Sequence, residues 1–141
     1  MANNTSITST TQSIAVSALR AQQSRMRIIA ENIANSNSTS RTAGGDPYRR
    51  QAPVFRTTPV ANGAGKGVTM ERAVPDKAPF HSAYDPGNPS ADTKGYVKTP
   101  NVDSLVEALD MRDAQRAYEA NLNVIEAARA MDQRTLDILK R

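Results

Sequence analysis

Residues 100–140 read PNVDSLVEALDMRDAQRAYEANLNVIEAARAMDQRTLDILK, and beyond Pro100 this stretch contains neither Gly nor Pro. Pro100 blocks helix extension backwards, and Asn101 or Asp103 can cap the start. The segment predicts one helix over 101–141, unbroken to about Lys140 and on the order of 55 Å long. Two apolar stripes run along it. One comprises Val106, Ala117, Ala120, Val124, Ala127, Met131 and Ile138. The other comprises Leu105, Leu109, Tyr118, Leu122, Ile125, Leu136 and Leu139. Neighbours such as Val124 and Ile125 sit about 100° apart around a helix, so the stripes are distinct faces. A second helix of the chain can cover one face, expected to be the Ala-rich one. The other face needs another partner.

The same punctuation organises the rest. All 8 Pro and all 7 Gly fall between Gly44 and Pro100. Since both residues break helices, the chain reads as helix, irregular middle, helix. Residues 1–11 read as a flexible polar lead. A first helix over 12–36 starts near Thr10 to Ser13, where hydroxyls can cap. Its inward stripe is Ala15, Leu19, Gln22, Met26, Ile29 and Ile33, and Asn35 closes it in the left-handed conformation. In the middle, 37–100, strands are expected over Gln51–Val60 and Gly67–Val74, joined by a turn that begins at Asn62-Gly63. Ala83–Pro100 reads as an extended, ordered loop. The expected fold is mainly α with a small β insertion, its two long helices pairing as an antiparallel coiled-coil-like hairpin.

Composition narrows the function. The chain has 141 residues, enough for one modest domain. Aromatics are 4% and Trp is absent, so the core is expected to be thin. The net charge of +4 is mild, and acidic and basic residues interleave through Asp110, Arg112, Asp113 and Arg116. That mixing suits a solvated helix face better than a stripe that tracks phosphates. Without Cys there is no disulfide framework or thiolate metal site. Met1–Thr11 lacks the basic and apolar regions of a cleaved secretory signal, and no apolar run approaches membrane-spanning length.

Candidate chemistry is sparse. Ala64-Gly65-Lys66-Gly67 lacks the flanking Gly and Ser/Thr of a phosphate loop and reads as a hairpin turn. His81 is the only His; with Ser82 and Asp85 it could be imagined as a hydrolytic set, but adjacent strand residues point to opposite faces. Asp85, Asn88 and Asp92 fail calcium-loop spacing and suit turn formation. Neither catalytic, metal nor cofactor residues are expected. Tyr48-Arg49-Arg50 is the compact basic patch, a weak nucleic-acid signal that suits subunit contacts better. A small basic nucleic-acid-binding or coiled-coil adaptor is the alternative reading.

Several motifs taken together point further. Ala30-Glu31-Asn32-Ile33-Ala34-Asn35 resembles the N-terminal signature of the axial proteins of the bacterial flagellum. Gly44 to Gln51, Tyr84 to Pro89, Gly95-Tyr96-Val97 and Pro100 to Asp103 are similar to segments of the proximal rod proteins in that family. Tyr118-Glu119-Ala120-Asn121, with the Met131–Leu139 tail, resembles the family's C-terminal helix. The matches run in order from about Ser17 to Leu139; Ala43 stands where Pro is expected. The resemblance implies a non-enzymatic subunit without cofactor, exported by the flagellar type III apparatus into a rod spanning the periplasm. Its implied partners are copies of itself, FlgB, FlgF, FlgG and FliE, with no nucleic acid and no membrane insertion. The helical assembly surface is then expected at Leu19, Met26, Ile29, Asn32, Ile33, Asn35, Val106, Tyr118, Asn121, Leu122, Val124, Ile125, Met131, Leu136 and Leu139. The middle contributes Tyr48, Arg49, Arg50, Tyr84 and Tyr96.

Overall fold

A computed structural model describes residues 2–60 and 65–140, with side chains from residue 8 onward. Helix α1 spans Ala2–Ala34 and helix α2 spans Ser104–Leu139. Between them lie strands β1 (Gln51–Pro59), β2 (Lys66–Pro75), β3 (His81–Tyr84) and β4 (Tyr96–Thr99). The strands form two separate two-stranded sheets, β1 with β2 and β3 with β4. The mainly α architecture with a small β insertion is therefore as expected.

Helix α1 begins earlier than its Ser/Thr/Asn-rich lead suggests. Such residues favour caps and turns, but they can also bond back to a preceding carbonyl within a helix. Ser13 does this, its hydroxyl donating to the Ser9 carbonyl at 2.9 Å. The helix ends where expected but by a different device. No non-Gly residue among those described has positive φ, so Asn35 is not left-handed. The end is instead tightened by i→i+3 bonds from Ser36 N to Ile33 O and Ser38 N to Asn35 O. The Asn35 amide adds a bond to the Glu31 carbonyl. Helix α2 is capped by Asp103, whose Oδ1 accepts from Leu105 N (2.9 Å) and Val106 N (3.3 Å).

The chain divides into two compact units. The first gathers Met1–Arg25, Val54–Arg72 and Asp113–Arg141. Here the start of β2 lies against α1: Ser17 Oγ accepts from Val68 N at 3.1 Å. A Cβ on buried Gly67 would stand 2.6 Å from that hydroxyl oxygen, so only Gly permits the approach. Val60 N donates to Gly65 O and closes the hairpin, while the expected Asn62-Gly63 turn lies outside the described residues.

The second unit gathers Met26–Pro53 and Ala73–Arg112. The segment 83–100, expected as a loop, is a loop over 85–95, but its two ends belong to an antiparallel hairpin with His81 opposite Thr99 and Tyr84 opposite Tyr96. Four-residue strands are too short to show period-two alternation, which hid them in the sequence. Gly95 sits at φ +82° in the tight turn before β4, where other residues are strained. Val97, Val102 and Pro100 are buried in this unit with Ile28 and Ile29.

Burial along the helices corrects the expected stripes. On α2, Glu107, Met111, Ala114, Tyr118, Asn121, Ile125, Ala128 and Asp132 are buried or half-buried, as are Asp110, Ala117 and Ala130 beside them. The first eight alternate at four and three residues, one continuous seam. Tyr118 and Ile125 of the second stripe lie in that seam and Ala117 of the first is half-buried beside it, but Val106, Val124, Met131 and Ile138 are exposed, as are Leu105, Leu109, Leu122, Leu136 and Leu139. Small and polar residues such as Ala114, Ala128, Glu107 and Asn121 share the inward positions with Met111, Tyr118 and Ile125, because they admit close backbone approach or can bond there, while most of the large aliphatic residues are left outside. On α1 the expected line holds for buried Ala15 and Ile29 and half-buried Leu19, Gln22 and Met26, while Ile33 faces out and burial extends to Ala21, Ile28 and Asn32.

Candidate functional site

The candidate residues fall into two sets: a buried polar node within the second unit, and the outward face of α2. The node is built on Asn32, in the last turn of α1, which is 1% exposed. A buried amide must satisfy two donors and an acceptor oxygen with two lone pairs. Asn32 Oδ1 accepts from the Tyr48 hydroxyl (2.8 Å) and from Gln51 N (2.9 Å). Its Nδ2 donates to Gln51 O (2.9 Å) and to Glu107 Oε2 (3.1 Å). One side chain thus ties the end of α1 to the start of β1 and the first turns of α2.

Glu107 is fully buried. Its other oxygen accepts from Arg50 Nε at 2.6 Å. A buried carboxylate is tolerable only when paired and hydrogen-bonded, and here both oxygens are engaged. The Arg50 guanidinium also reaches Asp76 at 3.4 Å and Asp110 at 3.8 Å. Burial disfavours the Arg50 charge, but the Glu107 hydrogen bond and the charges of Glu107 and Asp76 outweigh it and hold the proton more firmly than usual. The main chain of Arg50 is pinned as well. Its N donates to Asn101 Oδ1 and its O accepts from Asp76 N, while Asn101 Nδ2 donates to Ala78 O. Burial, with the charges of Glu31 and Glu107, pushes the Tyr48 hydroxyl above its ordinary pKa, keeping it a donor.

This arrangement consumes the basic patch. Arg49 donates to the Asp76 and Ala78 carbonyls and lies 4.0 Å from the centre of the Phe80 ring. Arg49 and Arg50 are therefore committed to internal contacts, which leaves little for a nucleic-acid phosphate. Tyr84 and Tyr96 stand exposed on the second hairpin, their rings edge to face at 5.3 Å.

Of the helical residues expected at an assembly surface, Asn32, Ile29 and Ile125 are buried within the chain. Leu19, Met26, Asn35, Tyr118 and Asn121 are half-buried. The Asn121 amide donates to the Ala117 carbonyl. Ile33, Val106, Leu122, Val124, Met131, Leu136 and Leu139 are exposed. Glu107 and Asp76 escaped the sequence reading, and Asn101, expected as a possible cap, instead braces the Arg50 and Ala78 main chain. The one trace of Glu107 was its place four residues after the Asp103 cap, inside an apolar run.

No group of metal-binding side chains occurs among the described residues, and no described helix is long and apolar enough to cross a membrane. Residues 13–41 match the family model for the flagella basal body rod protein. Residues 93–138 match the model for the C-terminal part of the flagellar basal body rod FlgEFG proteins. The flagellar basal-body rod protein FlgC of Agrobacterium fabrum is 46% identical over 127 residues, covering 90% of this chain and 91% of its own length. The chain belongs to the FlgC family of flagellar basal-body rod proteins. FlgC of Escherichia coli is 40% identical over 89% of this chain and 92% of its own length. FlgC of Bacillus subtilis is 34% identical over 90% and 95%. The two matched segments hold the two anchors of the node, Asn32 in the first and Glu107 in the second. As a FlgC family member the chain is a structural protein of the flagellar basal body and not an enzyme.

Proposed function

We propose that this chain builds the proximal part of the flagellar rod by assembling with copies of itself and with the rod proteins FlgB, FlgF, FlgG and FliE. Its terminal helices pair side by side, carry torque between subunits and line the channel through which later subunits are exported. The chain itself reaches the rod, which spans the periplasm, through the flagellar type III apparatus.

One observation carries this reading. In the single chain the polar node is saturated, yet Leu122, Val124, Met131, Leu136, Ile138 and Leu139 all stand exposed on α2. Six large apolar side chains exposed on one helix mark an interaction site. The internally bonded second unit supplies a stiff body, and the helix face supplies contacts to neighbours.

The test is complementation of swimming in a strain deleted for the gene. The native gene restores swimming. Leu122→Asp leaves export intact but stops rod growth, because a charge would be buried unpaired between subunits. Normal swimming of the deletion strain removes the rod assignment, and full swimming with Leu122→Asp removes α2 as the working face.

A further inference from the structure

The early part of α1 is built from poor helix formers. Thr8, Ser9, Thr10, Thr11, Ser13 and Ser17 carry hydroxyls that compete for backbone groups, and Ile14 and Val16 are β-branched. Such a run favours turns and extended chain, yet it lies inside α1. Its helix therefore needs tertiary support.

The start of β2 supplies support within the same unit. A Cβ on Gly65 would stand 3.3 Å from Thr10 Cγ2 and 2.9 Å from Ile14 Cδ1, and one on Gly67 would stand 2.6 Å from Ser17 Oγ. Two alternate glycines thus bring the hairpin backbone onto one line of the helix, Thr10, Ile14 and Ser17. The strand advances from Gly65 to Gly67 as the helix advances from Thr10 to Ser17, so the two run in the same direction. Ser17 fastens them. Its hydroxyl donates to the Ile14 carbonyl at 2.7 Å and accepts from Val68 N at 3.1 Å. A side chain that bonds its own helix thereby also satisfies a strand amide.

We infer that the β1–β2 hairpin is a latch on α1. Residues 8–17 are helical while Gly65 and Gly67 are docked, and revert to an unfolded lead when they are not. The low helix propensity is what makes the segment depend on the latch. The two groups that close it, Ser17 and Val68, are 51 residues apart in the chain. Resting on the export route proposed above, a chain threaded through the channel as an extended strand cannot close this contact. The lead therefore stays unfolded in transit and becomes helix once residue 68 is released.

Hydrogen exchange on the purified full chain tests the latch. In the native chain the amides of residues 12–17 are expected to exchange at least roughly tenfold slower than their intrinsic rates. Gly67→Val is expected to abolish that protection and to leave the Gln51 amide, bonded to Asn32 in the other unit, as slow as before. A second variant closes the latch covalently. The chain has no Cys, and the 3.3 Å from the Thr10 methyl to the Cβ position of residue 65 suits a disulfide. Thr10→Cys with Gly65→Cys, oxidised with diamide, is expected to cross-link within one chain and to slow exchange over 12–17 relative to its reduced form. Unprotected 12–17 amides in the native chain overturn the latch, and so does undiminished protection in Gly67→Val. Where Gly67→Val also releases Gln51, the cysteine pair decides, and no slowing on oxidation overturns the latch. A native gene that fails to restore swimming overturns the rod reading instead and leaves the exchange results standing.

Discussion

Replacing Glu107 with Ala removes the carboxylate on which the second unit converges. Arg50 Nε loses a 2.6 Å partner and Asn32 Nδ2 a 3.1 Å partner, and a fully buried side chain leaves a void. Truncating one member of a buried pair costs roughly 3–5 kcal/mol when the remaining charge is stranded. Arg50 is not wholly stranded, since its side chain is 23% exposed and Asp76 stays within 3.4 Å. The lower end, about 3 kcal/mol, is therefore expected. Glu107→Gln keeps the volume and one acceptor but turns an NH₂ toward a donor, and should cost about 1–2 kcal/mol. Asn32→Ala combined with Glu107→Ala should cost less than the sum of the single changes, because the two share a bond. Urea unfolding of the full chain, followed by tyrosine fluorescence and far-UV circular dichroism, reads all three. A loss below about 0.5 kcal/mol for Glu107→Ala, the range of ordinary surface changes, would refute the node as the anchor of this unit.

Three further outcomes are expected. Gly95→Ala should destabilise by about 1–2 kcal/mol in equilibrium unfolding, because φ is +82° and a new Cβ would stand 3.0 Å from the Tyr84 ring. Hydrogen bonds from the Tyr96 and Lys94 amides hold the Asp92 carboxyl below the ordinary value of 3.8. A lowered folded-state pKa stabilises above the unfolded value and is lost as pH falls through the folded one. Protection of the Lys94 and Tyr96 amides, measured against their intrinsic exchange rates, should therefore fall only below pH 3.8, and Asp92→Ala should lack that protection at neutral pH. The dilute protein should give less helix by circular dichroism than α1 and α2 at full length, because helices with uncovered apolar faces are marginal in water. Full helix content at low concentration would show that assembly is not needed to form them.

The helix–β–helix order was legible because Gly and Pro act locally. Their confinement to 44–100 forbids long helices there and permits them elsewhere, whatever the rest of the chain does. The first hairpin was legible for a related reason, being two apolar runs around a turn-forming stretch. The second hairpin was not, since β3 and β4 have four residues each and depend on their pairing. The helical faces were half legible. Periodicity identifies apolar lines, but burial also depends on which side chains are small enough for close contact. Ala114 and Ala128 went inside while Leu105 and Leu136 stayed out.

The node marks the boundary between the two kinds of information. By itself the sequence determined the chain's class, a pair of long helices around a broken middle with more apolar helix surface than one chain can cover. Its basic triplet, Tyr48-Arg49-Arg50, read as a surface for partners. Tertiary structure gave the triplet an internal role the sequence did not show, setting Glu107 beside Arg50, 57 residues apart, and Asn32 beside Glu107, 75 residues apart. A charge shows its sign in the sequence, but its role depends on the counter-charge and dielectric around it, and only the folded chain supplies those.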